Sequence, residues 1–540
     1  MLSLENTFAN PAALAETGYE APNRFLILGL GESGLAMAKW CLRNGAQVRL
    51  ADTRDQSKLS ERQLAWVDEL RVAGLKDIQF GPLGDDLLSD IDVIGISPGL
   101  SPLQEPTQSF LVKARKSRID VWSEIEFFAR AIAALSRMAQ DIQSSYASTV
   151  LAVTGTNGKT TTTALTGQLC ERAGKKVAVA GNISPAALEK LMSCLDTSDQ
   201  LEDMPDIWVL ELSSFQLVYT YSLNPAAATV LNLSQDHLDW HGDMQSYATA
   251  KANIFGKDTI CILNRDDALV MNLLTDDQKA EHSVVTFGAN RPDEQGAFGI
   301  EHDLRAGGID WLVWAEVDED LEPKPKRRRK GAAVEEDEPL RLKRLIPADA
   351  LRIRGRHNAL NALAALALAR AANLPMNVLL HGLRDYHGEP HRVQSIAVVN
   401  DVEYIDDSKG TNVGATVAAL NGLGNSESGK RIWLIAGGDG KGQDFSPLRE
   451  PSLRFVKGIF LIGKDAEKIS EVLGGEVPCT LSATLPVAVQ AAAAQAHSGD
   501  LVLLSPACAS LDQFRDYVER AELFVSEVEE LGMRFEGVQA

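Results

Sequence analysis

The chain has 540 residues, more than one hydrophobic core usually supports, so about three domains are expected. Its formal net charge of −21 argues against a protein that binds nucleic acid over its whole surface. The six cysteines are scattered, the N-terminus lacks a signal-peptide pattern, and no apolar run is long enough to span a membrane. We therefore expect a cytoplasmic protein without a membrane span.

The first predicted element is an apolar strand at 25–28 that runs into the glycine sequence GLGESG, residues 29–34, and then into a helix. Glycines let the backbone turn tightly and approach a diphosphate, which the N–H groups at the start of the helix can bind. Asp52 ends the next strand, roughly 20 residues after the last glycine, where an acid that binds a ribose is expected. Taken alone, this pattern is typical of an NAD-dependent dehydrogenase.

A second glycine loop, TGTNGKTTT at 154–162, follows a predicted strand and opens a helix. Successive N–H groups of such a loop can wrap a phosphate, Lys159 can contact the β and γ oxygens, and the Thr160 hydroxyl suits Mg²⁺. The standard phosphate loop has a glycine where this chain has Val153. A glycine turn with a solvated lysine is the structural alternative. The sequence predicts ATP binding, which a dehydrogenase does not need.

Strand–glycine–helix openings alternate with further short strands to the end of the chain, which predicts parallel sheets with crossover helices. We expect an α/β protein of three domains: a Rossmann-like N-terminal domain at 1–120, a central P-loop ATPase-like domain with a mostly parallel sheet at 121–389, and a Rossmann-like C-terminal domain at 390–540. Residues 316–344 carry a basic block and then an acidic one, without periodicity. They are expected to form a flexible insertion, with a patch for nucleic acid or a membrane surface as the alternative.

The glycine loop at 154–162 resembles that of the Mur ligases, the ATP-dependent amide-forming enzymes of peptidoglycan precursor synthesis; folylpolyglutamate synthases have a similar loop. The resemblance continues in order through ELSSFQ (211–216), NLSQDHLD (232–239), YATAK (247–251), GRHNALNA (355–362) and PHR (390–392). In the last domain, the similar stretches are DSKGTN (407–412), GGDGK (437–441) and SPACASLDQF (505–514). These three resemble the members that add D-glutamate to UDP-N-acetylmuramoyl-L-alanine.

The resemblance implies an amide ligase that works through an acyl phosphate and a tetrahedral intermediate, in cell-wall synthesis and hence in cell shape and division. It implies that ATP contacts Gly155, Thr156, Asn157, Gly158, Lys159, Thr160, Thr161, Asn358, Asn361, Arg392 and Asp407. It implies that the UDP substrate, rather than NAD, contacts Gly31, Glu32, Ser33, Gly34, Asp52, Thr53, Arg54, Ser97, Pro98, Gly99, Asn182 and Ser213. It implies that D-glutamate contacts Thr411, Lys441, Ser510, Leu511 and Tyr517.

The resemblance also assigns the catalytic groups, which are Lys159, Lys251, His237 and Lys409. Two Mg²⁺ ions are expected, one on Thr160 and Glu211 and one on His237 and Lys251. Because an ammonium group cannot bind Mg²⁺, Lys251 is expected to carry a carbamate derived from CO₂. From the residues alone, each of these has a plainer alternative: Glu211 as a strand cap, His237 as a structural histidine and Lys251 as a surface lysine.

Two other functions stay open. Another amino-acid ligase of the Mur or folylpolyglutamate type would have different residues in DSKGTN and SPACASLDQF. An NAD-dependent oxidoreductase would leave the phosphate loop and the C-terminal half without a purpose. We expect a monomer in which the third domain closes on the central one through a hinge near 388–390.

Overall fold

The computed structural model of the protein describes residues 2–10, 20–304, 308–317, 324–325, 336–337, 340–424 and 431–539. In these residues three sheet domains follow one another along the chain, each with helices on its sheet, so the predicted α/β class with three domains is confirmed.

The first domain is a five-stranded parallel sheet with three helices. Its strands are β1 Arg24–Leu28, β2 Gln47–Asp52, β3 Asp77–Phe80, β4 Val93–Ile96 and β5 Asp120–Trp122. Its helices are α1 Glu32–Arg43, α2 Glu61–Val72 and α3 Thr107–Lys116. The strand order is β3-β2-β1-β4-β5, which reverses between β1 and β4. Ligands of such sheets bind at the carboxyl ends of the strands beside this reversal. The last strand of this sheet, β5, ends at Trp122, two residues after the domain boundary expected at residue 120.

Helix α4, Glu124–Asp141, joins the first domain to the central one and is buried along most of its length. Apolar residues at the start of the chain, among them Leu2, Leu4 and Phe8, are buried in the same core as α4. The Arg130 guanidinium of α4 donates a hydrogen bond to the Phe8 carbonyl (3.1 Å) and lies over the Trp122 ring. The N-terminal segment therefore contributes to the packing between the two domains.

The central domain contains a nine-stranded sheet. Its strands are β6 Thr149–Thr154, β7 Val177–Gly181, β8 Ile207–Glu211, β9 Ala227–Val230, β10 Ile260–Asn264, β11 Val284–Phe287, β12 Phe298–Asp303, β13 Ile309–Val317 and β16 Leu340–Pro347. The order is β16-β13-β12-β11-β10-β9-β6-β8-β7, parallel from β7 to β12 and antiparallel through β13 and β16. Two short strands, β14 Lys324–Pro325 and β15 Glu336–Asp337, form a separate antiparallel pair.

The boundaries expected for the insertion at 316–344 need correction. Residues 316–317 and 340–344 belong to β13 and β16, where Glu316 pairs with Arg341 and Val317 with Leu340. Alternating apolar and charged side chains in β16 form this edge strand. The remainder of the predicted insertion, at 318–323, 326–335 and 338–339, lies outside the described residues.

Nine helices of the central domain are described. They are α5 Lys159–Arg172, α6 Ala187–Thr197, α7 Ser214–Leu217, α8 Leu238–His241, α9 Met244–Ala252, α10 Ala268–Met271, α11 Asp276–Glu281, α12 Arg356–Ala371 and α13 Met376–Asp385. The alanine-rich α12 is buried along most of its length and packs against α5, as the apolar run at 359–369 predicts. Across the described ranges, no helix combines the length and apolarity that a membrane crossing requires.

The third domain contains a six-stranded sheet. Its strands are β17 Gln394–Val399, β18 Val402–Asp406, β19 Ile432–Gly437, β20 Val456–Ile462, β21 Cys479–Ala483 and β22 Leu501–Leu504. Its helices are α14 Val413–Leu423, α15 Arg449–Phe455, α16 Ala466–Leu473, α17 Leu485–Gln495 and α18 Tyr517–Gln539. The order is β17-β18-β22-β19-β20-β21, parallel except for the edge strand β17. Apolar cores cover both faces of this sheet.

Candidate active site

The phosphate loop of the central domain and three loops of the third domain face one cleft. The phosphate loop follows β6, whose neighbours in the sheet are β8 and β9. The third-domain loops follow β18, β19 and β22, which are also adjacent strands. Arg392 crosses the cleft, because its Nη2 donates a hydrogen bond to Thr160 Oγ1 at 2.8 Å. The carboxyl ends of two parallel sheets, where α/β proteins bind ligands, therefore meet here.

The phosphate loop has the backbone that a phosphate cradle requires. Gly155 and Gly158 have φ values of 147° and 84°, which favour glycine. The Lys159 ammonium donates to the carbonyls of Gly155 (3.0 Å) and Thr156 (2.8 Å), inside the loop that it would share with a phosphate. A Cβ on Gly158 would clash with Asn361 Oδ1, so the loop lies directly against α12. Asn361 in turn donates to Asn358 Oδ1 at 3.0 Å. The structure thus brings together the central-domain residues predicted to bind ATP.

Glu211 ends β8 beside the phosphate loop and is 3% exposed. Its Oε1 accepts a hydrogen bond from Asn182 Nδ2 at 3.0 Å, whereas its Oε2 is buried and has no hydrogen-bond partner. Two residues further on, Ser213 caps α7 and accepts from the Gln216 N–H at 3.3 Å. The described ranges contain no group of three or more His, Cys, Asp or Glu side chains that would enclose a metal. A single buried, unpartnered carboxylate oxygen fits Mg²⁺, because this ion usually keeps several waters and binds substrate phosphates as well.

Lys251 lies on α9 and is 1% exposed, so its alternative interpretation as a surface lysine is wrong. Its ammonium donates to Gly155 O (2.9 Å) and Thr154 Oγ1 (3.2 Å) and lies 4.7 Å from the centre of the Tyr247 ring. Burial, and then the nearby Lys159 charge, hold the pKa of Lys251 well below its ordinary value. Burial therefore shifts the protonation equilibrium of Lys251 toward the neutral amine.

His237 precedes α8 and has a left-handed backbone, with φ at 55°. Its Nε2 lies 3.5 Å from Asp236 Oδ2, and burial lowers its pKa. The charges of Lys159, Lys251 and Lys441 all act on the His237 ring. The structure therefore places this histidine among the predicted catalytic lysines, with a neutral imidazole favoured.

The loop after β18 carries Asp407 and Lys409. The Asp407 carboxylate is buried, accepts from Ser505 Oγ at 2.7 Å, and has its pKa raised to about 7 by that burial. Within the described residues, the Asp407 carboxylate therefore bonds a side chain of its own domain. Its contact with the ATP ribose stays a prediction. The Lys409 ammonium lies 5.3 Å from the centre of the Tyr517 ring, and burial followed by the Arg392 charge lowers its pKa to about 8.

The loops that carry Lys441 and Ser510 are paired directly. Asp439 and Ala509 exchange two backbone hydrogen bonds, of 3.0 and 2.9 Å, which join the loops after β19 and β22. Lys441 has a left-handed φ of 50°, and its N–H donates to Asp439 Oδ1 at 3.0 Å. Ser510 is buried and the adjacent Leu511 side chain is 67% exposed. Thr411, from the neighbouring loop after β18, donates its N–H to the Lys409 carbonyl.

In the first domain, the glycine loop and Asp52 lie at the strand reversal between β1 and β4. The buried Asp52 carboxylate accepts from the Leu30 N–H (2.7 Å) and from Arg54 Nε and Nη2 (2.9 and 2.8 Å). These hydrogen bonds outweigh the effect of burial and lower its pKa. Open space surrounds the positions that a Cβ would take on Gly31 and Gly99.

In a dinucleotide site the acid at this position accepts hydrogen bonds from a ribose. Asp52 differs, because its carboxylate accepts hydrogen bonds from the Leu30 N–H and from Arg54. Arg54 is the group that this carboxylate orients, and its side chain is 41% exposed. Ser97 Oγ donates to the Gly29 carbonyl at 2.9 Å and fixes the glycine turn. The remaining predicted contacts of the UDP substrate, Glu32, Ser33, Gly34, Thr53 and Pro98, lie on the same two loops and the first turn of α1.

Sequence reasoning names neither Asn412 nor Asp236 as a site residue. Asn412 stands directly before an apolar helix, a pattern that indicates an N-cap but gives no sign of a second contact. Its side chain also bonds Asn157 of the phosphate loop and Asp236, the neighbour of His237. These contacts join residues that are far apart in the chain, and no local pattern predicts them.

Three family models match successive parts of the chain. Residues 23–122 match "Mur ligase MurD-like, N-terminal domain", residues 153–369 match "Mur ligase middle domain", and residues 391–508 match "Mur ligase, glutamate ligase domain". The chain is 55% identical over 516 residues to the UDP-N-acetylmuramoylalanine–D-glutamate ligase of Cupriavidus pinatubonensis, covering 94% of this chain and 97% of the relative. It is 53% identical over 510 residues to the protein of that name from Paraburkholderia phymatum, covering 94% and 96%.

Solved structures agree with this at the level of the fold. The chain is similar to MurF from Acinetobacter baumannii, with a TM-score of 0.55, 17% identity, and coverage of 98% of this chain and 100% of the other. It is also similar to UDP-N-acetylmuramate-alanine ligase MurC from Thermotoga maritima, with a TM-score of 0.50, 18% identity, and coverage of 94% and 99%.

Proposed function

The chain belongs to the Mur ligase family, an ATP-dependent class of ligases, and we propose that its reaction joins D-glutamate to UDP-N-acetylmuramoyl-L-alanine in peptidoglycan synthesis. One observation carries this proposal beyond the relatives' names. The phosphate loop of the central domain and the Lys441 and Ser510 loops of the third domain face a single cleft, bridged by Arg392. A nucleotide and a dicarboxylate can therefore be held next to each other.

The chemistry requires that a carboxylate be activated before an amine can attack it. ATP supplies the activation by converting the L-alanine carboxylate of the substrate to an acyl phosphate. The N–H groups of the phosphate loop and the Lys159 ammonium hold the transferring phosphate, whose charge Lys409 and Arg392 further neutralise from the third domain. The amine of D-glutamate then attacks the acyl carbon, and a tetrahedral intermediate collapses to the amide with release of phosphate.

Two Mg²⁺ ions complete the proposal, supplying charge neutralisation at the phosphates. Thr160 and Glu211 would hold the first, which the unpartnered Glu211 Oε2 supports. His237 and a carbamylated Lys251 would hold the second. A carbamate forms when an unprotonated amine reacts with CO₂, and the burial of Lys251 favours that unprotonated form. The product is a carboxylate-like anion, which Mg²⁺ binds readily.

D-glutamate has two carboxylates, which need donors on the walls of the cleft. We assign these donors to Lys441, Thr411, Ser510 and the N–H of Leu511, beside the Tyr517 ring. The backbone pairing of Asp439 with Ala509 supports the assignment, because it sets the Lys441 and Ser510 loops side by side.

In the first domain the glycine loop and Arg54, which Asp52 orients, would hold the UDP part of the substrate. Because Asp52 already binds Arg54 and the Leu30 N–H, it is not free to bind an NAD ribose. Every proposed contact comes from one chain, so we propose a monomeric enzyme. Since ATP and UDP-linked sugars are both present in the cytoplasm, we place the reaction there.

The test is ATP-dependent phosphate release with UDP-N-acetylmuramoyl-L-alanine and each of D-glutamate, L-glutamate, L-alanine and meso-diaminopimelate. We expect release that requires the UDP substrate and D-glutamate together, with a product larger by one glutamate residue in mass spectrometry. Release that ignored D-glutamate or favoured another amino acid would contradict the proposal.

A further inference from the structure

The side chain of Asn412 connects the third domain to the phosphate loop. It is the N-cap of α14, because its Oδ1 accepts a hydrogen bond from the Ala415 N–H at 2.9 Å. The same side chain forms a reciprocal amide pair with Asn157. Asn412 Nδ2 donates to Asn157 Oδ1 at 3.0 Å, and Asn157 Nδ2 donates to Asn412 Oδ1 at 3.2 Å. Asn412 is 4% exposed, so water competes little for these contacts.

A third contact also joins Asn412 to the central domain. Asn412 Nδ2 also lies 3.3 Å from Asp236 Oδ2, whose carboxylate is next to His237. A single amide thus contacts the phosphate loop, the His237 segment and the start of α14. The residue before it, Thr411, is one of the proposed D-glutamate contacts.

Gly414, in the first turn of α14, permits this close approach. A Cβ at Gly414 would lie 3.0 Å from Ser234 Oγ and 3.1 Å from Asn157 Nδ2. These separations are tighter than ordinary van der Waals contacts, so a larger residue would require the Ser234 or Asn157 side chain to shift. The first turn of α14 therefore packs closely against the Asn157 side chain of the phosphate loop, in addition to the hydrogen bonds of Asn412.

We infer that Asn412 is a positioning residue that couples ATP binding in the central domain to D-glutamate binding in the third domain. The inference rests on the proposed function. Phosphates in the loop fix its backbone and with it the Asn157 amide. Asn157 then fixes Asn412, and through it Thr411 and the first turn of α14. By linkage, bound D-glutamate must raise the affinity for the nucleotide by the same factor.

The variant Asn412→Asp separates this role from helix capping. An aspartate oxygen caps a helix as well as an asparagine oxygen does, and its charge is favourable at a helix N-terminus. However, it cannot donate to Asn157 Oδ1 or Asp236 Oδ2. Asn412→Ser also keeps a capping oxygen, adds no charge, and is too short to reach across the cleft.

Coupling is measured as the change in affinity for a non-hydrolysable ATP analogue on adding D-glutamate, with UDP-N-acetylmuramoyl-L-alanine present, by calorimetry. We expect the parent enzyme to show coupling of roughly fivefold or more. Both variants are expected to lose it and to raise the KM for D-glutamate about tenfold, while circular dichroism shows that each remains folded. A parent enzyme without D-glutamate-dependent turnover would instead contradict the proposed function.

The swapped pair Asn412→Asp with Asp236→Asn provides a rescue, because the amide now donates from position 236 to the carboxylate at position 412. We expect part of the coupling to return, an effect that general destabilisation would not produce. The inference is overturned if coupling persists in either single variant. It is also overturned if a folded swapped pair shows no more coupling than Asn412→Asp alone.

Discussion

At the scale of single residues, the two most informative side chains are charged groups in places where charge is costly. The Lys251 side chain is buried, and among the described residues its hydrogen-bond acceptors are a hydroxyl and a carbonyl rather than a carboxylate. Burying a lysine charge costs desolvation energy, so a lysine at this position indicates a chemical role. Conversion to a carbamate is the role proposed above. Asp52 is the opposite case, because its charge is fully compensated by Arg54 and the Leu30 N–H.

Lys251→Ala is expected to lower turnover by about 1,000-fold or more, because the proposed second Mg²⁺ would lose its carboxylate-like ligand. Added bicarbonate cannot restore the variant, whereas a short carboxylic acid such as acetate can occupy the emptied space and restore part of the rate. Phosphate release is the measurement. Lys257→Ala, a few residues further along the chain and exposed, is the control and should retain full activity. Substantial turnover in Lys251→Ala would contradict the proposed role.

Asp52→Asn is expected to raise the KM for UDP-N-acetylmuramoyl-L-alanine about tenfold and to leave the KM for ATP unchanged. The amide keeps the shape of the carboxylate but loses the ion pair that fixes Arg54, a proposed contact of the UDP substrate. Asp92→Asn is a matched control, because Asp92 pairs with Arg24 at the opposite, amino end of the same sheet (2.5 Å). Equal effects of the two substitutions would mean that Asp52 serves stability alone.

At the scale of elements, the sequence predicts the buried parallel strands and the loops at their carboxyl ends. The strands at 93–96, 207–211 and 501–504 are short apolar runs between turn residues, a pattern that depends on local composition alone. The first five residues of the antiparallel strand β16 fall within the predicted insertion instead, because charged residues alternate with apolar ones at this sheet edge. Its pairing with β13 depends on residues across a long connection.

Within the site, the glycine loop and Lys159 were predictable for the same local reason. The contacts of Asn412 with Asn157 and Asp236 were not, because they form between domains. The family resemblance located the remaining motifs, but the burial of Lys251 and the ion pair of Asp52 with Arg54 required coordinates. Local sequence patterns thus predict the individual motifs of this candidate site, whereas the contacts between the motifs are seen only in the tertiary structure.

A prediction at this scale concerns the contact of α4 with α6. Glu124, the first residue of α4, accepts from the Leu188 N–H at 2.6 Å through Oε1, while its Oε2 is buried without a partner. Burial raises the pKa of Glu124 to about 7. Between the unfolded value near 4.5 and about pH 7, the folded state binds more protons, so stability falls as the pH rises through this window.

Glu124→Gln keeps the hydrogen bond to Leu188 and removes the charge. The variant is therefore expected to gain stability relative to the parent as the pH rises from 5 to 8, by about 1–3 kcal/mol. Urea unfolding at both pH values is the measurement. Glu61→Gln is the control, because Glu61 holds the same position after a serine N-cap in α2 but is exposed. A pH-independent difference between Glu124→Gln and the parent would contradict the prediction.

At the scale of the whole molecule, the proposed function divides the substrates among the three domains. The proposed UDP crevice lies in the first domain, the phosphate loop in the central one and the D-glutamate loops in the third. The last two touch through Arg392 and Thr160 and through an ion pair of Arg354 with Glu403 (2.9 Å). The amine and the acyl phosphate therefore meet only when the third domain is closed, and the linker between α13 and β17 must allow that movement.

We expect the radius of gyration from X-ray scattering to decrease when an ATP analogue, UDP-N-acetylmuramoyl-L-alanine and D-glutamate are all bound. Identical scattering with and without the three ligands would contradict closure. Gly388, in the linker, has a φ of 90°, and a Cβ there would lie 3.2 Å from Ile353 Cγ2. Gly388→Ala should therefore alter the ligand-dependent compaction and change kcat and KM together.

The matched control for that variant is Gly174→Ala, at the end of α5. Gly174 also has a positive φ, of 79°, but no atom lies within 4 Å of the position of its missing Cβ. Both substitutions place alanine in a left-handed conformation, so each is expected to cost about 1 kcal/mol of stability. Because only Gly388 lies in the linker, only Gly388→Ala should alter compaction and turnover. If Gly174→Ala produced the same kinetic change, strain in general would explain it and the linker would not be the hinge.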